Sequence, residues 1–504
     1  MGPTIAATVY ATAAVVFAYF FRPRFVSNPA ILRAALFWLA STSTLFLISN
    51  SMAALIVCAI LLIILTPKML DDRAAYYVVA VAAVPLTVAA AIPFPGINYL
   101  MIIDFSKLAC IFLLLPAVIL GKRPLARRYA PTTGVLIIIF TALFCILEFR
   151  AANITSGLRA SVDDLLLFAL PFMAILRLIS ERAQIEKVFS ALIFLAVIFF
   201  FAAMLTQLTH WNYYTFLTER HGRSAFADYR EGILRASVTV VPILVGYVMT
   251  LGLICVEYFR ALKRAGTLMT WLYRAMFVST AILTYSRGAW LALVVGYGAF
   301  IFFTKAPRSL RPAVIALGLL VGAPIAATFI MTADFSGVDE YGTFAYRREL
   351  LRASFVQIGQ HPIFGDPDFM NSGNFDHLYT GMGLIDIVNY YLKIALEHGL
   401  TALGLYLAAF AAVIIGLLDL GKRIADLGDR RTMEHQRAVF LSFIAAFLAM
   451  AATISAVSLV EHFGVLVLAL ATAYLAATRA EVDAARAELG AARAETASAG
   501  VAPA

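Results

Sequence analysis

Residues 187–206 read KVFSALIFLAVIFFFAAMLT: one lysine, then nineteen residues without a charge. A helix rises about 1.5 Å per residue, so some 20 apolar residues cross the ~30 Å hydrocarbon layer of a bilayer. This stretch is therefore a membrane span, and the pattern repeats on both sides of it. Apolar runs bounded by charges, Pro or Gly precede it near 5–21, 34–49, 52–66, 75–93, 99–120, 134–148 and 162–179. Others follow near 236–258, 268–284, 288–304, 312–331, 400–418, 437–457 and 462–477. The chain predicts an all-α, polytopic transmembrane helical bundle of about 12–15 spans.

The composition of the 504 residues agrees. Hydrophobic residues make up 62% and charged ones 14%, with a mean hydropathy of +0.88. Soluble domains are nearer half apolar and a quarter charged, so a soluble enzyme, a single-pass anchor and a peripheral protein are excluded. The net charge of +9 reflects orientation in the bilayer and not nucleic-acid binding, since no basic face interleaved with aromatics is present. Cys58, Cys110, Cys145 and Cys255 fall inside apolar runs without metal-ligand spacing, which predicts small packing residues and no disulfides. The N-terminus has no basic residue before its apolar run and reads as an uncleaved first span.

Short loops rich in Lys and Arg stay cytoplasmic. Those around Arg22 and Arg24, Lys122 to Arg128, Arg260 to Arg264, Lys305 to Arg311 and Lys422 to Arg431 fix the orientation. They place two long loops on the opposite face. The division is 1–206, N-terminal transmembrane helices; 207–235, a first large outer loop; and 236–331, transmembrane helices carrying Ser286-Arg287-Gly288. Then come 332–398, a large outer loop with short helices, one of them amphipathic; 399–477, C-terminal transmembrane helices; and 478–504, an Ala-rich cytoplasmic tail. Within the second loop, 384–397 predicts a helix with a polar stripe of Asp386, Asn389, Lys393 and Glu397.

The outer loops hold arginines that charge bias would not put there: Arg220, Arg223, Arg230 and Arg235 with His221 beside them, and Arg347, Arg348 and Arg352. Arg287 lies between two apolar runs, where an arginine is costly without a partner. Forked guanidinium donors match phosphate oxygens, so a grip on a pyrophosphate is the functional reading; headgroup contacts or loop salt bridges are the structural one. Lys107 sits one turn from Asp104, either paired with it or facing the same anion. The stretch HPIFGDPDFMNSGNFDHLYTGMG, 361–383, contains Asp366, Asp368, Asn371, Asn374 and Asp376, whose spacing fits a solvated acidic loop better than a cation site. His361 and His377 are possible bases. P-loop, dinucleotide, nucleophile-elbow and HExxH patterns are missing.

The chain resembles the O-antigen polymerase/ligase superfamily, bacterial membrane glycosyltransferases of the C-type architecture. The resemblance rests on Tyr285-Ser286-Arg287-Gly288-Ala289-Trp290-Leu291, on Arg348 followed by His361-Pro362-Ile363-Phe364-Gly365, and on Asn389-Tyr390-Tyr391-Leu392 running to Glu397-His398-Gly399-Leu400. It implies a multi-pass protein of the bacterial inner membrane with its active site at the periplasmic face. There it would transfer a glycan from undecaprenyl diphosphate to an acceptor hydroxyl. The acceptor is another lipid-linked repeat in a polymerase or lipid A–core in a ligase. Arg287 and the arginines at 220, 223, 230 and 235 would hold the diphosphate, with Arg348, His361, Asn389 and Lys107 as further substrate-binding candidates. No metal or cofactor is implied, because the arginines neutralise the charge. The ligase pattern places a histidine where Val388 stands and a glycine where Ala402 stands, which favours a polymerase and leaves Asp386 and His377 as candidate catalytic bases.

Other classes stay open. A lipid or polysaccharide flippase accounts for the spans but predicts repeated halves. A scaffold for an envelope-assembly complex would use the tail as its contact.

Overall fold

The computed structural model describes residues 3–23, 26, 29–96, 98–121, 126–150, 153–223, 229–230, 232–307, 343–379, 385–424, 429–454 and 459–499. The expected span at 312–331 lies outside them, as do Arg24, Lys122, Arg123, Arg308 and Arg311. Among the described residues, seven helices are long and apolar enough to cross a membrane: Pro29–Leu47, Pro131–Arg150, Arg182–Thr209, Pro242–Ala261, Arg287–Lys305, Tyr390–Arg423 and Val460–Glu488. Shorter apolar helices include Thr8–Phe20, Ser51–Leu65, Phe105–Leu120 and Thr267–Leu283. The protein is an all-α polytopic bundle, with two small antiparallel strand pairs at loop positions, Ala89–Ala91 with Ile102–Asp104 and Tyr229–Arg230 with Ile233–Leu234. All four cysteines are free.

The centre of the bundle is buried and apolar. The apolar stretch of Pro242–Ala261 is wholly buried, whereas Arg287–Lys305 leaves much of its surface outward. Small residues let these two helices and Arg430–Ala451 approach closely. A Cβ on Gly246 would lie 2.3 Å from Ala289 Cβ, and one on Gly296 2.8 Å from Ala446 Cβ. Close backbone approach through small residues is a principal source of helix association where lipid removes the hydrophobic drive.

The expected span 75–93 is corrected. A helix runs only over Arg73–Ala80, and irregular backbone leads to the strand Ala89–Ala91. Pro85 lacks an N–H and excludes the helical conformation from its predecessor. Residues 74–84 are buried by protein on all sides, which is where non-helical backbone is tolerated at membrane depth. Other groups satisfy it: Trp38 Nε1 donates to Val79 O at 2.8 Å, and Thr239 Oγ1 donates to Ala82 O. Prolines also shape two helices that continue. Leu115 N–H reaches Cys110 O before Pro116, and Leu170 N–H reaches Leu165 O before Pro171. Each is a wide i→i+5 turn that absorbs a missing donor.

The two ends of the bundle differ in charge partners. At one end Arg264 meets Glu186 at 2.6 Å, Arg182 meets Asp429 at 2.8 Å and Glu481 at 2.5 Å, and Arg431 Nη2 donates to Ala261 O at 2.7 Å. These are the basic loops assigned to the cytoplasm. The final helix, Val460–Ala499, carries the Ala-rich tail without interruption, and Arg479 fastens its start by donating to Tyr129 O.

Candidate functional site

At the other end the helix Thr267–Leu283 stops, the chain turns through Thr284, Tyr285 and Ser286, and Arg287 opens the next helix. Tyr285 takes a left-handed conformation, φ 46°, which a bulky residue adopts only when the surroundings enforce it. They do so by saturating the carbonyls of the turn. Arg235 Nε donates to Thr284 O at 2.9 Å, Arg230 Nη1 to Tyr285 O at 3.2 Å, and Ala236 N to Leu283 O at 3.0 Å. Trp290 Nε1 reaches back to Ala281 O at 3.0 Å. Cations at a helix C-terminus also meet the negative end of its dipole. Two arginines of the 207–235 segment are thus gathered onto the turn that presents Arg287. Gly288 is required there: a Cβ would lie 2.4 Å from Thr453 Oγ1 and 2.5 Å from Ile243 Cδ1. Arg287 is exposed at the N-terminus of a 19-residue helix, where backbone N–H groups and the dipole favour an anion.

The other two arginines of that loop sit on a neighbouring support. The helix Tyr213–Arg220 is capped by Asn212, whose Oδ1 accepts from Thr215 N at 3.1 Å and from Ser237 Oγ at 3.0 Å. Thr218 and Thr87 share a hydrogen bond of 2.9 Å. His221 is buried between Ser51 Oγ and Leu45 O, each at 3.2 Å, and burial pushes its imidazole pKa down. It is a neutral strut that ends the helix. Arg220 is half-buried beside it and Arg223 is exposed.

Lys107 belongs to a different arrangement. Its ammonium is 2.7 Å from Asp163 Oδ1 and 3.7 Å from Asp104 Oδ2, and donates to Ile102 O at 2.8 Å. Asp104 caps its own helix by accepting from Lys107 N. Lys107 is thus paired with Asp104 as expected, with Asp163 as its nearer partner.

The segment that follows residue 343 has a small core of its own. The helix Thr343–Gln360 packs Leu350 and Ala353 against Phe369, Phe375, Leu378, Ile385 and Leu396. Asp366 accepts from Gln357 Nε2 at 2.9 Å, and Asn374 donates to Gln357 Oε1 at 2.7 Å, so these two polar groups tie the loop together. Arg348 lies 3.9 Å from Glu349, which Arg352 holds at 2.9 Å. His361 and His377 are exposed. Asp386 is exposed, its backbone fixed from both sides by Tyr346, whose hydroxyl donates to Asp386 O and accepts from Asp386 N.

The expected polar-striped helix over 384–397 begins later. Asn389 is its N-cap, accepting from Tyr391 N and Leu392 N, so the helix starts at Tyr390. Asp386 and Asn389 precede it, and only Lys393 and Glu397 lie on it. Asn caps compete with the helix interior for backbone donors, and that preference prevailed over the three-to-four-residue spacing.

This helix breaks at Gly399, φ 79° and ψ 176°, before continuing into the span. The HPIFG loop fills the break. Leu400 N donates to Pro362 O at 2.8 Å, Thr401 N to Ile363 O at 3.3 Å, and Asp366 N to Leu396 O at 2.7 Å. Arg150 closes the far side, donating to Phe364 O at 2.8 Å, Gly365 O at 3.0 Å and Glu397 O at 2.7 Å. Sequence reasoning missed Arg150, whose only signal was a charge at the end of a span.

It also missed a cavity of about 150 Å³ beside the break, lined by Glu148, Asp164, Glu397, Glu461, His398 and Lys393. His398 is buried, stacked on Phe144 at 3.8 Å, with Nε2 3.2 Å from Glu148 Oε1. The four carboxylates come from four different helical segments, and an ionisable residue at the edge of an apolar run was the available signal. The break and the arginine turn are linked through Tyr391, whose hydroxyl donates to Leu448 O at 2.7 Å in the helix that packs along Arg287–Lys305.

No curated protein matches the chain. Residues 273–407 match the O-antigen ligase family. The match spans the arginine turn, the HPIFG loop and the helix broken at Gly399. This segment carries the chain's similarity to the O-antigen polymerase/ligase superfamily, and the apolar helices fit a multi-pass membrane protein.

Proposed function

We propose that the protein is a periplasmic-face glycosyltransferase of the bacterial inner membrane, joining repeat units delivered on undecaprenyl diphosphate. The supporting observation is the convergence of Arg230 and Arg235 on the turn that carries Arg287. An acceptor hydroxyl attacks the anomeric carbon, the bond from that carbon to the diphosphate oxygen breaks, and the configuration inverts. Negative charge grows on the leaving diphosphate, where fixed guanidinium groups stabilise the transition state more than the ground state. The hydroxyl proton passes to a base: Asp386 is held by Tyr346 close to the Val388-Asn389 pair, with His377 as the alternative. The polar cavity by Gly399 offers carboxylates to acceptor sugar hydroxyls. No metal takes part, the arginines carrying that role.

A ligase reading differs only in the acceptor, and Val388 favours the polymerase. Purified protein in lipid, given undecaprenyl-diphosphate oligosaccharide alone or with lipid A–core, separates them when products are sized. The expected result is a ladder from the donor alone. Growth only with lipid A–core makes it a ligase, and no transfer with either acceptor removes the proposal.

A further inference from the structure

Arg287 begins and Lys305 ends one 19-residue helix, which separates them by about 27 Å along its axis. At the Lys305 end a cavity of about 430 Å³ opens between that helix and the ends of Pro242–Ala261, Thr267–Leu283 and Arg430–Ala451. Among the described residues, Arg260, Lys263, Arg274, Lys305, Arg431 and His435 line it, with Glu257 as the one carboxylate. Glu257 is already engaged: its Oε1 is 2.5 Å from Arg274 and its Oε2 3.4 Å from Arg260. Among the described residues, no acidic side chain pairs with Lys263 or Lys305. A basic membrane-protein end usually scatters its cations into water. Here they surround a concavity, and Lys263 is turned towards it from a left-handed backbone, φ 60°.

Depth is marked independently. Trp271 is exposed at the start of Thr267–Leu283 with Arg274 lying 4.5 Å over its ring. Exposed tryptophan beside a cation is characteristic of the headgroup layer. Tyr297, Phe300 and Ile301 give the cavity an apolar side, and Ile301 faces outward from the bundle. Charge on one wall and hydrocarbon on the other suit an amphiphile better than a soluble ion.

We propose that this cavity binds a phosphate group, supplied by the headgroup of an anionic phospholipid in the cytoplasmic leaflet. It is separate from the arginine turn and does not depend on the transfer reaction. A cation near an anionic membrane surface contributes about fivefold in binding, so removing two lowers retention about 30-fold.

The test is native mass spectrometry of the full-length protein with phosphatidylglycerol, with phosphatidylcholine, or with inorganic phosphate. Arg274 is left intact, because its loss would strand the buried carboxylate of Glu257. The variant is Lys263→Gly with Lys305→Gln, glycine relieving the left-handed position so that folding is not the variable. Lys422→Gln, an exposed cation at the same end outside the cavity, is the control. The expected result is one tightly held phosphatidylglycerol, weak phosphatidylcholine, and about 30-fold less retention in the double variant with none lost in the control. Equal loss in the control, equal retention of both lipids, or occupancy by inorganic phosphate in preference to lipid would overturn the proposal.

Discussion

Arg287→Ala is expected to leave the protein inserted at its normal level and to lower glycan polymerisation about 10²- to 10³-fold, the usual cost of one preorganised donor at a developing oxyanion. Arg287 is exposed and follows a turn whose carbonyls are held by Arg230, Arg235, Ala236 and Trp290. Removing it therefore leaves those bonds in place. Arg230→Ala and Arg235→Ala should behave differently, because each frees a turn carbonyl as well as a cation. Their loss of activity should come with a lower melting temperature. Polymer length on gels and protein level by immunoblot measure both. Wild-type polymer from Arg287→Ala would count against a charge-stabilising role.

Gly399→Ala is expected to lower stability by about 3 kcal/mol or more and to remove activity with it. Two costs add. The backbone at φ 79° and ψ 176° is a region open essentially to glycine. A Cβ would also sit 2.2 Å from Ile363 O and 2.6 Å from Phe364 N, backbone atoms that cannot swing aside. Gly365 faces the same seam, a Cβ there lying 2.5 Å from Leu396 O. The seam is thus two glycines back to back, with Arg150 across the adjoining carbonyls. Thermal unfolding in detergent reads the loss, and Gly404→Ala, where a Cβ meets nothing within 4 Å, is the neutral comparison.

Much of this was legible in the chain because a bilayer imposes a simple code. Apolar length marks spans, clusters of Lys and Arg set the expected orientation, and an arginine such as Arg287 between two apolar runs is a candidate for function. The code fails where protein replaces lipid as the solvent. Residues 74–84 are as apolar as a span yet are wrapped by other helices, so Pro85 could end the helix without exposing backbone to hydrocarbon. Long-range pairs were also out of reach. Nothing local says that Lys107 will meet Asp163, or that Arg150 will close a loop at Gly365. The His-Pro-Ile-Phe-Gly and Glu-His-Gly segments were visible as motifs, but not that one mends the helix broken in the other.

If Arg230, Arg235 and Arg287 form a diphosphate grip, the protein should distinguish the charged lipid from the neutral one. Binding of undecaprenyl diphosphate and of undecaprenol to the purified protein would be compared between wild type and Arg287→Ala. Wild type is expected to prefer the diphosphate, and the variant to lose most of this preference while holding the neutral lipid as before. Equal binding of both lipids by wild type, or an undiminished preference in the variant, would contradict it.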